Sequence, residues 1–344
     1  MRRILGLFSL YLRRIFGQIT ALGFSIKEET MLTNLTLDVL KSSEIEGEFL
    51  NYEQVRSSIA RKLGLDYAGM VYSDRNVDGV VEMMLDATQN FGKLLNEERL
   101  FDWHAALFPT GRSGMYKIDV GKYRNEEMQI VSGGMGKEKI HYEAPNPKQV
   151  KSEMDIFIGW LNSNTNIDLV IKSAIAHFWF IIIHPFDDGN GRIARAISDL
   201  LLARSDESSQ RFYSLSNQML LERKTYYSIL QKIQHKDGEI TEWIVWFLNC
   251  LFRALKNTEQ TIEKALHKNA FWDKHNDTEI NSRQRLMLNK LFDGFEGKLK
   301  TSKWSKITKC SQDTALRDIK DLIEKEILRQ EVSGGRSTNY ELNE

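Results

Sequence analysis

The sequence predicts a mainly α-helical protein: a large helical domain interrupted by one β-hairpin, then a small helical domain that ends in a second hairpin. Three observations carry this. Helix-forming residues dominate and only four prolines interrupt 344 residues, proline being the strongest helix breaker. Apolar residues recur at helical spacing along most of the chain. The exceptions are two glycine-punctuated, strand-prone stretches, 115–147 and 327–342. A chain of this length can bury one sizeable core and a smaller second one.

Composition narrows the class. Hydrophobic content of 42% and charged content of 27% are ordinary for a globular protein, and a formal net charge of zero gives no global pull toward nucleic acid or an anionic membrane. Cys250 and Cys310 lie far apart without metal-type spacing, and read as reduced thiols of a cytoplasmic protein. No stretch reaches the roughly 18 uncharged apolar residues of a membrane span.

In chain order, Met1 to Phe24 is basic and apolar, with Phe8, Leu12, Ile15, Phe16 and Ile19 near helical spacing. It predicts an amphipathic helix docked on the domain, a membrane-surface helix being the lesser alternative. Arg13 and Arg14 break the apolar run and no small-x-small site follows, which argues against a secretory signal. Lys27 to Glu46 continues as helix, and Gly47 is a natural stop. Ser42 and Glu46, four apart, face the same way. Helices follow at Val55 to Leu63, Val77 to Leu95 and Leu100 to Phe108, and His104 within the last reads as a core histidine. Gly111-Arg112-Ser113-Gly114 breaks the helical pattern, and from Met115 to Pro147 the period shifts toward strand. Here Met128-Gln129-Ile130-Val131-Ser132-Gly133-Gly134 and Ile140-His141-Tyr142-Glu143 form the two arms of a hairpin. Gln149 to Asn162 and Ile167 to Ile183 are helices, the second apolar on nearly all sides and therefore central. His177 within it reads as core.

The chemistry concentrates in His184-Pro185-Phe186-Asp187-Asp188-Gly189-Asn190-Gly191-Arg192-Ile193-Ala194-Arg195. Pro185 stops the preceding helix, and a new helix runs to about Ala203. Arg192 and Arg195 share a face of its first turn. Backbone N–H groups at a helix start, flanked by glycine and arginine, suit a phosphate. Asp188 beside them is a reasonable ligand for Mg²⁺ travelling with phosphates, and His184 is a candidate general base.

Downstream, Arg223 to Ile233 carries Tyr226-Tyr227, Ile240 to Leu255 is a tryptophan-rich helix, and Lys256 to Asp277 reads as a connecting helix. Arg283 to Phe292, Thr301 to Lys309 and Ser311 to Lys325 are three further helices. Ile327-Leu328 and Tyr340 to Leu342 flank the glycine turn Ser333-Gly334-Gly335-Arg336-Ser337. Three helices and a hairpin with a basic tip resemble a winged helix-turn-helix, whose third helix would enter a major groove. That helix carries Arg317 and Lys320 but also Asp313, Asp318, Asp321 and Glu324. Acidic charge opposes phosphate contact, so protein binding is the leading expectation for this domain and DNA binding the weaker one.

The stretch 184–195 resembles the Fic motif, His-x-Phe-x-Asp/Glu-Gly-Asn-Gly-Arg-x-x-Arg, with every defined position present. Ser42-Ser43-Glu44-Ile45-Glu46-Gly47 resembles the Ser/Thr-x-x-x-Glu-Gly/Asn inhibitory helix of Fic proteins. The resemblance implies a helical fold with a flap hairpin, here Ile130, Val131, Ser132 and Gly133, that aligns a target segment by strand addition. It implies transfer of AMP from ATP to a Ser, Thr or Tyr hydroxyl of a protein, with release of pyrophosphate. His184 would be the base, Asp188 the Mg²⁺ ligand, and Gly189, Asn190 and Gly191, with the Asn190 side chain, the phosphate cradle. Arg192 would bind the β-phosphate and Arg195 the γ-phosphate, Phe186 would be structural, and Tyr226 and Tyr227 would pack beside adenine. Ser42, Glu46 and Gly47 would inhibit through Arg195, or Glu46 would orient a water for removing AMP. Other Fic transfers, a predominant de-AMPylase, and a winged-helix DNA-binding regulator with a nucleotide-sensing site stay open as alternatives. Dimerisation is common in the family, and the sequence locates no interface for a homodimer.

The expected organisation is an N-terminal helical region, 1–110, with the inhibitory helix at about 31–47. The catalytic core follows at 111–255, with the flap at about 115–147, then a connecting helix, 256–280, and the winged-helix domain, 281–344.

Overall fold

The computed structural model describes residues 2–21, 24–65, 70–132, 139–234, 238–292, 295, 297–331 and 338–343. The fold is mainly helical and divides into two compact units, Met1–Glu259 and Gln260–Glu344. No helix among the described residues is long and apolar enough to cross a membrane.

The first unit opens with α1 (Arg2–Ala21), α2 (Phe24–Ile45), α3 (Tyr52–Leu63), α4 (Arg75–Gln89) and α5 (Glu97–Leu107). Two short antiparallel pairs follow, β1 (Arg112–Ser113) with β2 (Tyr116–Lys117) and β3 (Gln129–Ser132) with β4 (Lys139–Glu143). Then come α6 (Pro147–Asn162), α7 (Leu169–Ile183), α8 (Asn190–Asp206), α9 (Leu215–Leu221), α10 (Arg223–Gln234) and the start of α11 (Thr241–Lys274), whose residues from Gln260 on belong to the second unit. The 1–110 region and the expected catalytic core thus share one unit.

The α7–α8 pair is the centre. Ala174, Phe180 and Ile183 of α7 and Ile193, Ile197, Leu200 and Leu201 of α8 are buried, which is why α7 reads as apolar on nearly all sides. Asp168 caps α7 by accepting from the Val170 N–H at 2.9 Å. α1 lies against this unit through Phe8, Ile15 and Ile19, all buried, with Phe8 edge-on to Tyr213 and Tyr11 edge-on to Phe252. Three features depart from the sequence reading. The hairpin β1–β2 occupies the glycine break, because Gly111 and Gly114 both take positive φ. α9 is a seven-residue helix capped by Ser214, too short to show a period. The expected connecting helix is the second half of α11, which runs unbroken for 34 residues.

The second unit holds α12 (Ser282–Phe292), α13 (Thr301–Thr308), α14 (Gln312–Glu324) and the antiparallel pair β5 (Leu328–Gln330) and β6 (Tyr340–Leu342) around Met287, Leu288, Trp304, Ile319 and Leu322. The glycine turn expected between β5 and β6 lies outside the described residues. α14 corrects the charge argument made from sequence. Asp318 is buried and takes two hydrogen bonds from Arg283, at 2.8 and 2.9 Å, while Asp321 pairs with Lys325 at 2.7 Å. Two of its four acids are therefore neutralised within the domain.

One polar cluster lies inside the first unit. Arg211 pairs with Asp199 at 2.8 Å and Asp206 at 3.3 Å, and Asp38 of α2 accepts from the Ser214 hydroxyl at 2.6 Å. Burial and the charge of Asp38 raise the Asp199 carboxyl to about 8 from 3.8. Between those values the folded protein keeps a proton that the unfolded chain releases. This stability is complete below 3.8 and is lost as pH rises through about 8. Raising the pH from about 6 to about 8 is therefore expected to lower Tm. Asp199→Asn should flatten that slope in a thermal-melt series.

Candidate functional site

The connector from α7 to α8 is built by backbone geometry first. His184 ends α7 with φ 49°, its N–H on the Phe180 carbonyl at 3.0 Å. A left-handed conformation is strained for a residue with a Cβ and recurs at functional sites. Phe186 is fully buried, stacked on His104 at 4.2 Å and ringed by Phe101, Tyr123 and Phe180. The Asn190 side chain closes the loop: its Oδ1 accepts from the Phe186 N–H at 3.0 Å and its Nδ2 donates to the Phe186 carbonyl at 2.7 Å. The amide expected to face phosphate is instead engaged in shaping the loop. Gly189 starts α8 with φ 82°, and a Cβ there would sit 2.9 Å from the Phe108 ring. No side chain among the described residues caps α8, which leaves the first-turn N–H groups, Gly191 among them, for a ligand.

His184 is half-buried and its Nδ1–H donates to the Ile181 carbonyl at 3.2 Å. That contact selects the tautomer with a lone pair on Nε2. Burial depresses its pKa, aided by Arg124 and opposed by the Ile181 carbonyl, Glu46 and Asp188, so the imidazole is neutral at pH 7, as a base requires. Arg124, unmarked in the sequence, holds this residue in place. Its Nε donates to the His184 carbonyl at 2.8 Å, its Nη1 to Glu126 at 2.8 Å and its Nη2 to Pro145 at 2.6 Å. One buried guanidinium thereby ties the base to both stems of the β3–β4 hairpin. Ile130, Val131 and Ser132 lie on β3, whose register with β4 shifts between Ile130 and Val131. Gly133 lies outside the described residues.

Asp188 accepts from the Ser113 hydroxyl and from the Gly189 N–H at 2.5 Å. Among the described residues there is no cluster of three or more acids, histidines or cysteines fit for a metal. A cation beside Asp188 would thus meet a single carboxylate of this loop, which suits Mg²⁺ carried on phosphates.

The arginines are already engaged. Arg195, 1% exposed, donates from Nε to Ser42 Oγ at 2.9 Å and from Nη2 to the Ser42 carbonyl at 2.8 Å, and pairs with Glu46 Oε1 at 2.8 Å. Burial works against its charge and Glu46 overrides it, holding the guanidinium above its usual value. Arg192 pairs with Glu48 at 2.5 Å and lies over the Phe108 ring. Glu48 follows the helix stop and carries no periodic signal, so sequence reasoning passed over it. Gly47, at φ 86°, turns the end of α2, with its N–H on Glu44 at 3.0 Å and that of Glu48 on Ser43 at 3.0 Å. This is the cap that a left-handed glycine makes. Gly191 completes the fit: a Cβ there would lie 2.0 Å from Glu46 Oε1.

Tyr226 is buried with its hydroxyl on His177 Nε2 at 3.0 Å, and the half-exposed Tyr227 donates to the Ile45 carbonyl at 3.3 Å. Both adjoin Arg195 and Glu46. His104 and His177 are fully buried, and burial lowers them to about 4 and about 3. They are neutral core groups.

Residues 94–202 match the sequence model of the Fic/DOC family, and residues 1–65 match that of a domain of unknown function, DUF4172. The protein adenylyltransferase Fic of Culex quinquefasciatus is 25% identical over 223 residues, 63% of this chain and 40% of that protein. A probable protein adenylyltransferase of Aquifex aeolicus is 30% identical over 112 residues, 33% of this chain and 30% of that protein. The chain thus spans less than half the length of these relatives. A Fic family protein from Desulfovibrio desulfuricans superposes with a TM-score of 0.56 at 20% identity, covering 99% of this chain and 96% of that one. A Fic domain containing signaling protein from Bacteroides thetaiotaomicron gives 0.53 at 18%, covering 74% and 97%. At such identities the likeness is one of fold.

Because Phe186 is the packed base of the loop, Phe186→Ala is expected to cost about 3–5 kcal/mol, measured as a lowered midpoint in urea.

Proposed function

Given that residues 94–202 are a Fic domain, we propose that the chain is an autoinhibited protein adenylyltransferase, moving AMP from ATP to a protein hydroxyl. The observation that carries it is the pairing of a neutral His184, its Nε2 lone pair available, with an Arg195 that Ser42 and Glu46 hold. In the reaction His184 Nε2 takes the proton of the Ser, Thr or Tyr hydroxyl as its oxygen bonds to the α-phosphorus. The bond from that phosphorus to the bridging oxygen breaks, and pyrophosphate leaves opposite. The α8 N–H groups and Arg192 and Arg195 stabilise the phosphate charge, and the half-exposed Tyr227 backed by Tyr226 flanks the adenine ring. Asp188 would hold a Mg²⁺ carried on the phosphates, which would supply further charge neutralisation. A target segment would add to the free edge of β3, whose bulge sets its alignment.

In this reading Glu46 takes the γ-phosphate's arginine, so ATP lies in a non-productive pose. With labelled ATP, Glu46→Gly is expected to raise self-labelling about 5–150-fold, and His184→Ala in that background to abolish it. Equal labelling by wild type and Glu46→Gly would sink the inhibition. Mass spectrometry of the adduct separates AMP from phosphate or phosphocholine transfer. Loss of AMP from a pre-modified protein, dependent on Glu46, would instead identify a de-AMPylase. The depressed His184 pKa puts the acid limb of the transfer rate below about pH 6.5, and a limb above that value counts against His184 as the base.

A second reading concerns residues 281–344 as a winged helix on DNA. It is favoured by the outer face of α13, where Ser302, Lys303 and Lys306 are exposed and Lys309 follows, with no acid between Lys298 and Lys309. Duplex binding at low salt that weakens in Lys303→Glu/Lys306→Glu would support it, and no binding at low salt removes it.

A further inference from the structure

Glu48 belongs to no motif, yet it holds the first motif arginine. Resting on the reading of Arg192 and Arg195 as the β- and γ-phosphate arginines, we propose that Glu48 is a second inhibitory carboxylate. It occupies the Arg192 subsite, so the end of α2 weakens binding of a nucleoside diphosphate as well as productive binding of a triphosphate.

The geometry supplies the argument. Arg192 is 2% exposed and its ion pair, at 2.5 Å, reaches across 144 positions of sequence to Glu48. Gly47 stands between the two carboxylates, and its left-handed turn fixes Glu46 on one side and Glu48 on the other. Arg192 and Arg195, three apart on α8, present their guanidiniums at the matching spacing. Each arginine also keeps a buried donor, Arg192 Nε and Arg195 Nη1, that meets no hydrogen-bond partner among the described residues. Buried donors of this kind call for an acceptor, and phosphate oxygens supply several where one carboxylate supplies fewer. The carboxylate clamp thus neutralises both arginines without satisfying them. Glu48 is the more accessible half, its side chain 43% exposed against 30% for Glu46. Burial pushes its carboxyl up, Arg192 pulls it down, and Asp188 and Glu46 push it further up.

The two carboxylates have separable consequences. Glu46 opposes a γ-phosphate and leaves a diphosphate unaffected. Glu48 opposes a β-phosphate and therefore acts on ADP and ATP alike. Calorimetric titration of the full chain with ADP and with ATP distinguishes them. Glu48→Gln, which keeps shape and removes charge, and Glu48→Ala are both expected to tighten ADP by about 5–150-fold. Glu46→Gly is expected to tighten ATP without tightening ADP. In the Glu46→Gly background, adding Glu48→Gln should raise AMP transfer further. Unchanged ADP affinity in both Glu48 variants, with melting temperatures like wild type, overturns the proposal, as does ADP binding by no variant. Failure of Glu46→Gly to raise transfer, with ADP still tightened by Glu48→Gln, would instead overturn the parent reading and leave Glu48 as a nucleotide gate.

Discussion

A guanidinium buried inside a protein must be paired, and the surroundings of Arg195 follow from that requirement. Desolvating an ion costs several kcal/mol, recovered only when hydrogen bonds and an opposite charge are aligned. Ser42 gives two acceptors and Glu46 the charge. To deliver both, α2 must lie along α8 to its last turn, and Gly191 must have no side chain where the Glu46 carboxylate rests. The end of α2 and the start of α8 are therefore specified together, although some 150 residues separate them.

A second constraint comes from the opposite side of the loop. Arg124 fastens the His184 carbonyl to the stems of the β3–β4 hairpin, while Asn190 fastens Phe186 from within. The His184 imidazole is thus oriented by the Ile181 carbonyl, which fixes its tautomer with no carboxylate on Nδ1 among the described residues. The surface that would receive a protein segment and the group that would deprotonate it share one guanidinium, so a disturbance of the hairpin reaches the base directly.

Much of this was legible in the residues, for reasons that differ by element. The connector 184–195 carries its chemistry in twelve consecutive positions, so spacing alone defined it. Glu46 was legible through the resemblance of Ser42-Ser43-Glu44-Ile45-Glu46-Gly47 to the inhibitory helix of Fic proteins, since the spacing by itself reads only as a capped helix with a solvated glutamate. Glu48 and Arg124 were not, since each acts on a residue 60 or more positions away and neither sits in a periodic pattern. The hold of the Asn190 amide on Phe186 was not legible, because a sequence does not say which way a polar side chain turns. The same blindness affected α14, where Asp318 and Asp321 counted as surface charge although Arg283 and Lys325 hold them. α9 was missed because seven residues give too short a window for a 3.6-residue period.

The space beside Gly191 has room for one occupant, as the 2.0 Å approach of Glu46 to a notional Cβ makes plain. On the proposed reading, Glu46 is thereby a tethered competitor. Held on the end of a helix, a group of this kind acts at millimolar effective concentration or above, and its local supply does not fall when the cell's does. On the proposed reading, more nucleotide alone is a poor activator, and what relieves the site is whatever displaces the last turn of α2. Control would then lie with whatever moves that helix rather than with the abundance of the co-substrate.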